Sequence, residues 1–551
     1  MAPSPTMDEK SPSSSPSPTT TTAKPFDAAT TLDTATHPIT IADKEIAPAV
    51  SLNDADEALA FLSNHPLGAA AIAEQGAAIL EDEAARKRLL RKIDWTITPL
   101  LAGTYFLQFL DKNTLSYTSV MGIREDAGLK GQEYSHVSML FYIGFLATEF
   151  PTQYLAQRVS RLGLYLGTNI ILWGIVLCCH AGVSSFAGLA VCRTLLGVFE
   201  ACVAPILVLI IAMWYRKEEQ GTRVSWFYVC NSVTKIFGGL VAYGISFART
   251  DFATWRIFFL AIGALTMGVG ALVCVFLPDS PVKAKRFSDA EKVAALMRVK
   301  ENQSGTQNNH VKKDQIIEAF CDVRVWLIFL SVMLSSIPNG GISNFNNILL
   351  TTFGYTDQQA LILDAPNGAI GIVFVLGAGY LSDRWNDRST VMLLCLIPTI
   401  LAAALMYGFV DAEGVPHNKP ALLAASFLSG TFGAGFMINL AWNASNIAGH
   451  SKKVTVNALT LVAFCTGNVL GTQTFRSDEA PGYASGKISI MACLSASCLV
   501  VVALRMYNGW LNGKKEKQLA AMEPEERKAL RERMAFADET DRRNPFFRYT
   551  H

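Results

Sequence analysis

Charge is scarce in this sequence. Only 17% of its 551 residues are Asp, Glu, Lys or Arg, against roughly 25% in a soluble domain, while half are hydrophobic and the mean hydropathy is +0.27. An ordinary soluble globular protein is excluded. No CxxC pair occurs, and the eleven cysteines lie mostly inside apolar stretches, which argues for inert buried thiols rather than a metal site or a disulfide framework. Met1 to Lys10 lacks the basic start and short apolar core of a cleaved signal, so the first membrane helix is expected to act as an uncleaved signal anchor. A P-loop is missing too, which argues against an ATP-driven pump. His180, His417 and His450 lie apart near helix ends, leaving no ordered catalytic constellation; neither enzyme chemistry nor a cofactor is expected. Net charge is +1, with basic residues in short scattered clusters, so nothing calls for nucleic acid.

What the sequence does have is long apolar runs, each able to cross ~30 Å of hydrocarbon at 1.5 Å per residue. They fall near Thr96 to Tyr117, Ser135 to Leu155, Leu164 to Ala181, Phe186 to Tyr215, Arg223 to Phe247 and Ile257 to Leu277. A second set lies near Val325 to Phe353, Gln359 to Leu381, Thr390 to Val410, Ala421 to Ala448, Val454 to Phe475 and Ile488 to Tyr507. The expected fold is therefore an all-α membrane protein with twelve transmembrane helices in two six-helix halves. Residues 1–48, rich in Ser, Thr and Pro, are expected to be a disordered tail, and 49–92 a juxtamembrane helix closing on Arg86, Lys87, Arg88, Arg91 and Lys92. The first bundle is placed at 93–281, a central loop at 282–323, the second bundle at 324–509 and a C-terminal tail at 510–551. Basic residues cluster on alternate loops, which predicts that both termini and the central loop are cytoplasmic. Asn302-Gln-Ser304 is a glycosylation sequon, but in that cytoplasmic loop it should stay unmodified.

Two short strings repeat at matching places. Leu155-Ala-Gln-Arg158 follows the second helix and Leu381-Ser-Asp-Arg384 follows the eighth, as an internal duplication of a transporter would have it. Gly379-Tyr-Leu-Ser-Asp383-Arg384, with Arg388 just beyond, resembles the loop motif of the major facilitator superfamily. An acid and two bases at a helix end can cap the next helix and pair with a neighbour in one conformation only, which suits a gate. The first copy departs from the pattern, with Gln157 for the Asp and Gln153 for the Gly. Phe109-Leu-Asp111-Lys112 through Tyr117, Arg193-Thr-Leu-Leu-Gly197-Val-Phe-Glu200, and Pro278-Asp-Ser-Pro281 look like the anion:cation symporter branch. The tail from Phe536 through Thr540-Asp541 to Asn544-Pro-Phe-Phe-Arg548-Tyr549 resembles its fungal allantoate permease family. That resemblance implies a secondary carrier for allantoate, nicotinate, pantothenate, biotin or thiamine-related compounds.

Ionisable residues inside a membrane cost about 2.5 to 3.5 kcal/mol each on insertion scales, so they need partners or a wet cavity. Glu149 and Glu200 each lie ~21 Å into an inward-running helix, and Lys235 in the fifth helix reaches a comparable depth. Lys235 is then either a receptor for a substrate carboxylate or the partner of Glu149 or Glu200 in a structural ion pair. The resemblance further implies that Asp111 and Glu200 carry the proton and that Arg193 answers to Asp111 or to the substrate; Glu149 joins the proton-coupling candidates through its own place inside the membrane. Lys112 stands where many relatives have Arg, and an ammonium lacks the bidentate fork.

The second half offers amides instead. Asn339, Ser343 and Asn346, and likewise Asn439, Asn443 and Asn446, recur at i, i+4, i+7 and so share one stripe per helix. They form either a polar wall for the substrate or interhelical packing; Trp442 is a stacking or packing residue. Gly238-Gly239 is expected to allow close helix packing. The expectation is proton-coupled uptake of a small organic anion across the plasma membrane by a monomer in the lipid bilayer. A drug or metabolite antiporter and a non-transporting sensor are the alternatives.

Overall fold

The computed structural model describes residues 61, 66, 68–159, 161–300, 312–385, 387–411, 414–535 and 539–550. The tail expected at 1–48 and the sequon at Asn302 lie outside the described residues. Twelve long helices follow one another: α1 (Glu83–Ser119), α2 (Glu133–Arg158), α3 (Leu162–His180), α4 (Phe186–Trp214), α5 (Lys217–Ser246) and α6 (Thr254–Phe276) in the first half. In the second half come α7 (Val323–Thr352), α8 (Asp357–Trp385), α9 (Arg388–Gly408), α10 (Lys419–Leu428, carried through a turn at Ser429–Thr431 into Phe432–Asn446), α11 (His450–Thr474) and α12 (Ala484–Ala520).

Nine helical segments among the described residues are long and apolar enough to cross a membrane. The exceptions are α1, α2 and α5, which at 37, 26 and 30 residues are long enough but more polar. Those same helices carry Asp111 and Lys112, Glu149, and Lys235, so the residues that lower their hydropathy include the candidate site. Starts are set by side-chain caps. Asp82 accepts from Ala84 N, Asp322 from Arg324 N, Asp387 from Thr390 N and Asn418 from Ala421 N, each satisfying an N–H that the helix leaves free. Interior prolines sit in α1, α2, α7, α8 and α9, a tolerance typical of membrane helices, whose neighbours re-satisfy the backbone.

Two sequence-based boundaries shift. The basic run Arg86 to Lys92 is not a separate juxtamembrane helix but the first turns of α1, which is continuous from Glu83. A shorter helix, Ala69–Glu81, precedes it and packs Ile72 against Val293 of the helix Asp289–Lys300. At the other terminus, the described part of the C-terminal tail packs into the second half. Asp541 lies between Arg324 and Lys452, with Lys452 Nζ at 3.1 Å, and Asp322 approaches both cations at 2.8 Å. Thr550 O accepts from Trp442 Nε1 at 2.9 Å and Asn508 Nδ2 at 3.3 Å, so the tail straps α7, α10, α11 and α12 together.

The halves meet closely where α1 ends and α2 begins, here called the latch end. A methyl added to Gly239 of α5 would stand 2.6 Å from Leu361 O of α8, and one on Gly368 of α8 would stand 2.5 Å from Ser232 O. The missing side chains are what let the two backbones touch, as small residues do in membrane bundles. Across the same end Tyr134 OH donates to Asn344 O at 2.8 Å, Asn347 Nδ2 to Ser116 Oγ at 3.2 Å and Tyr117 OH to Asp364 Oδ2 at 2.9 Å. The opposite end, with the α2–α3 and α8–α9 connections and the tail, is the loop end.

A central cavity with one charged wall and one amide wall

Between the halves lies a cavity of about 380 Å3. From the first half, α1 contributes Gln108, Phe109, Lys112 and Asn113, and α5 contributes Asn231 and Lys235. Across from them stand Asn339 and Ser343 of α7, Asn367 of α8, Asn443 of α10 and Thr460 of α11. Two ammonium groups therefore face amides and hydroxyls set among apolar side chains such as Phe436, Leu461 and Phe464.

Lys112 Nζ lies 3.3 Å from Glu200 Oε1 and sits over the rings of Phe109 at 5.5 Å and Phe145 at 5.6 Å. Its side chain keeps 18% exposure, whereas Glu200 has none. The lysine thus reaches the cavity while its counter-ion is sealed behind it. The contact is ionic rather than a well-directed hydrogen bond, since both Glu200 oxygens lack a hydrogen-bond partner among the described residues. Behind this pair Asp111 accepts from Trp173 Nε1 at 2.7 Å and lies in the field of Arg193, Lys112 and Glu200. Arg193 is 3% exposed; its Nε and Nη2, like Asp111 Oδ1, have no hydrogen-bond partner among the described residues. Leaving buried polar atoms so costs about 1 to 3 kcal/mol each, and such under-satisfied clusters call for a functional explanation. Glu149, 2% exposed, accepts from Gln153 at 2.9 Å and feels Lys112.

Of the two readings of Lys235, the structural pair with Glu149 or Glu200 is not what forms. Lys235 Nζ donates to Asn367 Oδ1 at 3.0 Å and is the cation beside Asp364. Asp364, 5% exposed, also accepts from Tyr117 OH and from Asn346 Nδ2, both at 2.9 Å. Depth along two helices matched Lys235 to the acids, but depth does not fix rotation about the axis, and α5 turns Lys235 toward α8. Asp364 and Asn367 were missed by sequence reasoning, although an acid inside the apolar run of α8 is itself a signal.

The amide stripes split. Asn339 and Ser343 line the cavity, Asn339 donating to Asn468 Oδ1 at 2.8 Å and accepting from Ser343 Oγ at 3.4 Å. Asn443 lines it too and donates to Thr460 Oγ1 at 2.9 Å. Asn439 instead donates to Ser331 Oγ at 3.0 Å as interhelical packing, and Asn446 accepts from Thr550 N at 2.8 Å. Trp442 is 1% exposed and bound to the tail, so it packs rather than stacks on a ligand.

At the loop end Gly379 faces open space, Asp383 is exposed, and Arg384 donates to Tyr380 OH at 3.4 Å. Arg388 donates to Ala441 O at 2.5 Å and to Ser445 Oγ, clamping α9 to α10. The acid that caps α9 is Asp387, not Asp383. Burial pushes its carboxyl up, but donors from Thr390, Arg505 and Ser389 outweigh that and hold it below the usual carboxylate range. Among the described residues no group of His, Cys, Asp or Glu could hold a metal ion.

The family model described as Major Facilitator Superfamily matches residues 101–472. An allantoate permease of Saccharomyces cerevisiae is 34% identical over 506 residues, 89% of this chain and 91% of that protein. The chain belongs to the major facilitator superfamily, in its allantoate permease family. A thiamine pathway transporter of the same yeast is 32% identical to this facilitator over 513 residues, covering 91% and 94% of the two chains. In fold, the facilitator matches the crystal structure of a D-xylose-proton symporter with a TM-score of 0.56 at 15% identity, over 74% of this chain and 97% of that one. It is a multi-pass secondary transporter for small molecules and not an enzyme.

Proposed function

We propose that this transporter takes up a small organic anion together with protons, and that the anion is a carboxylate carrying amide or ureido groups. The observation that carries the proposal is the Lys112 ammonium, open to the cavity on one side and held by Glu200 at 3.3 Å on the other. A substrate carboxylate and Glu200 compete for one cation. Protonating Glu200 releases Lys112 to the substrate, and substrate departure returns Lys112 to Glu200 and expels the proton. Asp111 and Arg193 stand behind as the path by which that proton is shared, with Glu149 also in the field of Lys112. Lys235 supplies a second cation, and Asn339, Ser343, Asn367 and Asn443 supply the donors and acceptors that amide or ureido groups match. The names of the allantoate permease and thiamine pathway relatives fit nitrogen-rich cargo of this kind.

With the basic loops cytoplasmic, the latch end faces outward and both termini lie inside, at the plasma membrane. Alternating access then means breaking the Tyr117, Tyr134 and Asn347 contacts between halves while the α8–α9 connection, with Gly379, Asp383, Arg384 and Arg388, closes toward the first half. One chain encloses the whole cavity, so a monomer suffices. The test is uptake of radiolabelled ureido acids and vitamin carboxylates into proteoliposomes with the outside acidic. Accumulation that collapses with the pH gradient supports symport. Proton-driven export identifies an antiporter, and no flux of any cargo identifies a sensor.

A further inference from the structure

A second crevice, of about 700 Å3, opens at the loop end where α3 begins and α6 ends. Arg161, Lys283, Lys285 and Arg286 line it. One carboxylate, Asp279, stands in the same wall, accepting from Gly163 N at 2.8 Å, and its single negative charge is outnumbered by the cations around it. The crevice is therefore strongly cationic, and it is separate from the transport cavity, with which it shares no lining residue among those described.

Its position along the helices says what fills it. Leu164, Val275 and Phe276 also border it, at 44%, 73% and 42% exposure, on the outer faces of helices that cross the membrane. Apolar side chains left this exposed at the end of a span face acyl chains, while the cations come from the chain beyond those ends, Arg161 before α3 and Lys283, Lys285 and Arg286 after α6. Arg286 links the two zones, its guanidinium 4.9 Å from the centre of the Phe276 ring. Basic pockets between membrane helices take anionic headgroups, and a soluble anion would make no use of the exposed apolar border.

We propose that this crevice binds the headgroup of a polyanionic membrane phospholipid, a phosphoinositide, with its acyl chains against Leu164, Val275 and Phe276. Arg161, Lys285 and Arg286, set against the one charge of Asp279, still exceed what the single net charge of phosphatidylserine would answer, which is why a headgroup with phosphate monoesters is named. The site ties α3 and α6 of the first half to the lipid surface at the end where that half must move.

The test uses the full-length protein in phosphatidylcholine nanodiscs, with affinities for a phosphatidylinositol bisphosphate, phosphatidylserine and soluble inositol trisphosphate compared by titration and by native mass spectrometry. The bisphosphate lipid should bind most tightly. Each cation near the surface is worth about fivefold, so Lys285→Gln should weaken it about fivefold and Arg161→Gln with Lys285→Gln and Arg286→Gln roughly hundredfold. Lys528→Gln, a basic-to-neutral change elsewhere, should leave it unchanged. Full affinity in the single and triple variants, or an equal loss in Lys528→Gln, overturns the site. Inositol trisphosphate binding as tightly as the lipid would make it a soluble polyanion site, and phosphatidylserine binding as tightly as the bisphosphate would remove the phosphoinositide assignment; either result also overturns the proposal.

Discussion

Replacing Lys235 by Met shortens the unbranched side chain by one atom and removes its charge. The ammonium donates to Asn367 Oδ1 at 3.0 Å and faces the cavity, so a carboxylate arriving there gains a charge-assisted hydrogen bond of about 1.5 to 3 kcal/mol. At 1.4 kcal/mol per decade that is roughly tenfold to hundredfold in affinity. The structural cost is bounded, because Asp364 loses its cation but keeps Tyr117 OH and Asn346 Nδ2, both at 2.9 Å. The assay is competition against labelled uptake by a substrate acid and by its uncharged amide. Lys235→Met should weaken the acid by that factor and the amide by less than about threefold. Equal loss for both, reversed by adding Asp364→Asn, would reduce Lys235 to the partner of a structural pair and refute the reasoning.

Three other outcomes follow from the packing. Asp541→Asn removes a fully buried carboxylate from between Arg324 and Lys452, and breaking a buried pair costs about 3 to 5 kcal/mol; Asp322 still holds both cations, so about 3 is expected, read as a lowered unfolding temperature in detergent, and an unchanged temperature would show the strap to be loose. The Asp322 carboxyl is pushed up by burial, but Arg324 and Lys452 outweigh this and hold it at about 2 against an ordinary 3.8. Being depressed, it contributes stability of about 2 kcal/mol that is complete above about pH 4 and lost as pH falls through about 2; Asp322→Asn should flatten the acid limb of the unfolding profile, and an identical limb would contradict this. Gly239→Val places a methyl 2.6 Å from Leu361 O and should spread α5 from α8, raising thiol labelling at the latch end while expression persists; unchanged labelling would mean that the halves separate elsewhere.

How much of this could be read beforehand depends on what each feature needs. Apolar runs mark membrane helices because every lipid-facing backbone group must bond within its own segment, so the helices of both halves were legible. The start of α1 was not, because Arg86 to Lys92 reads as a charged flank although Ala, Leu and Arg continue a helix readily. Among site residues, sequence named Asp111 with Arg193, but named Lys235, Glu200, Asn339 and Asn443 without their partners. Glu200 meets Lys112, 88 residues earlier, and Lys235 meets Asn367, a separation of 132; such pairings depend on how each helix is rotated in the bundle, which a periodic pattern leaves open. Asn439 shows the same limit, sharing a stripe with Asn443 yet bonding Ser331. The tail motif was visible as family likeness alone, since only the fold brings Asp541 to Lys452.

The central claim is that Glu200 couples a proton to the anion through Lys112, and Glu200→Gln in proteoliposomes tests it most directly. The neutral variant imitates the protonated acid, so Lys112 stays available to substrate whatever the pH. Exchange of labelled for unlabelled substrate should persist at a rate independent of external pH, while accumulation against a gradient, driven by an acidic exterior, should vanish. Accumulation that survives Glu200→Gln, and survives it again in combination with Asp111→Asn, would contradict the account.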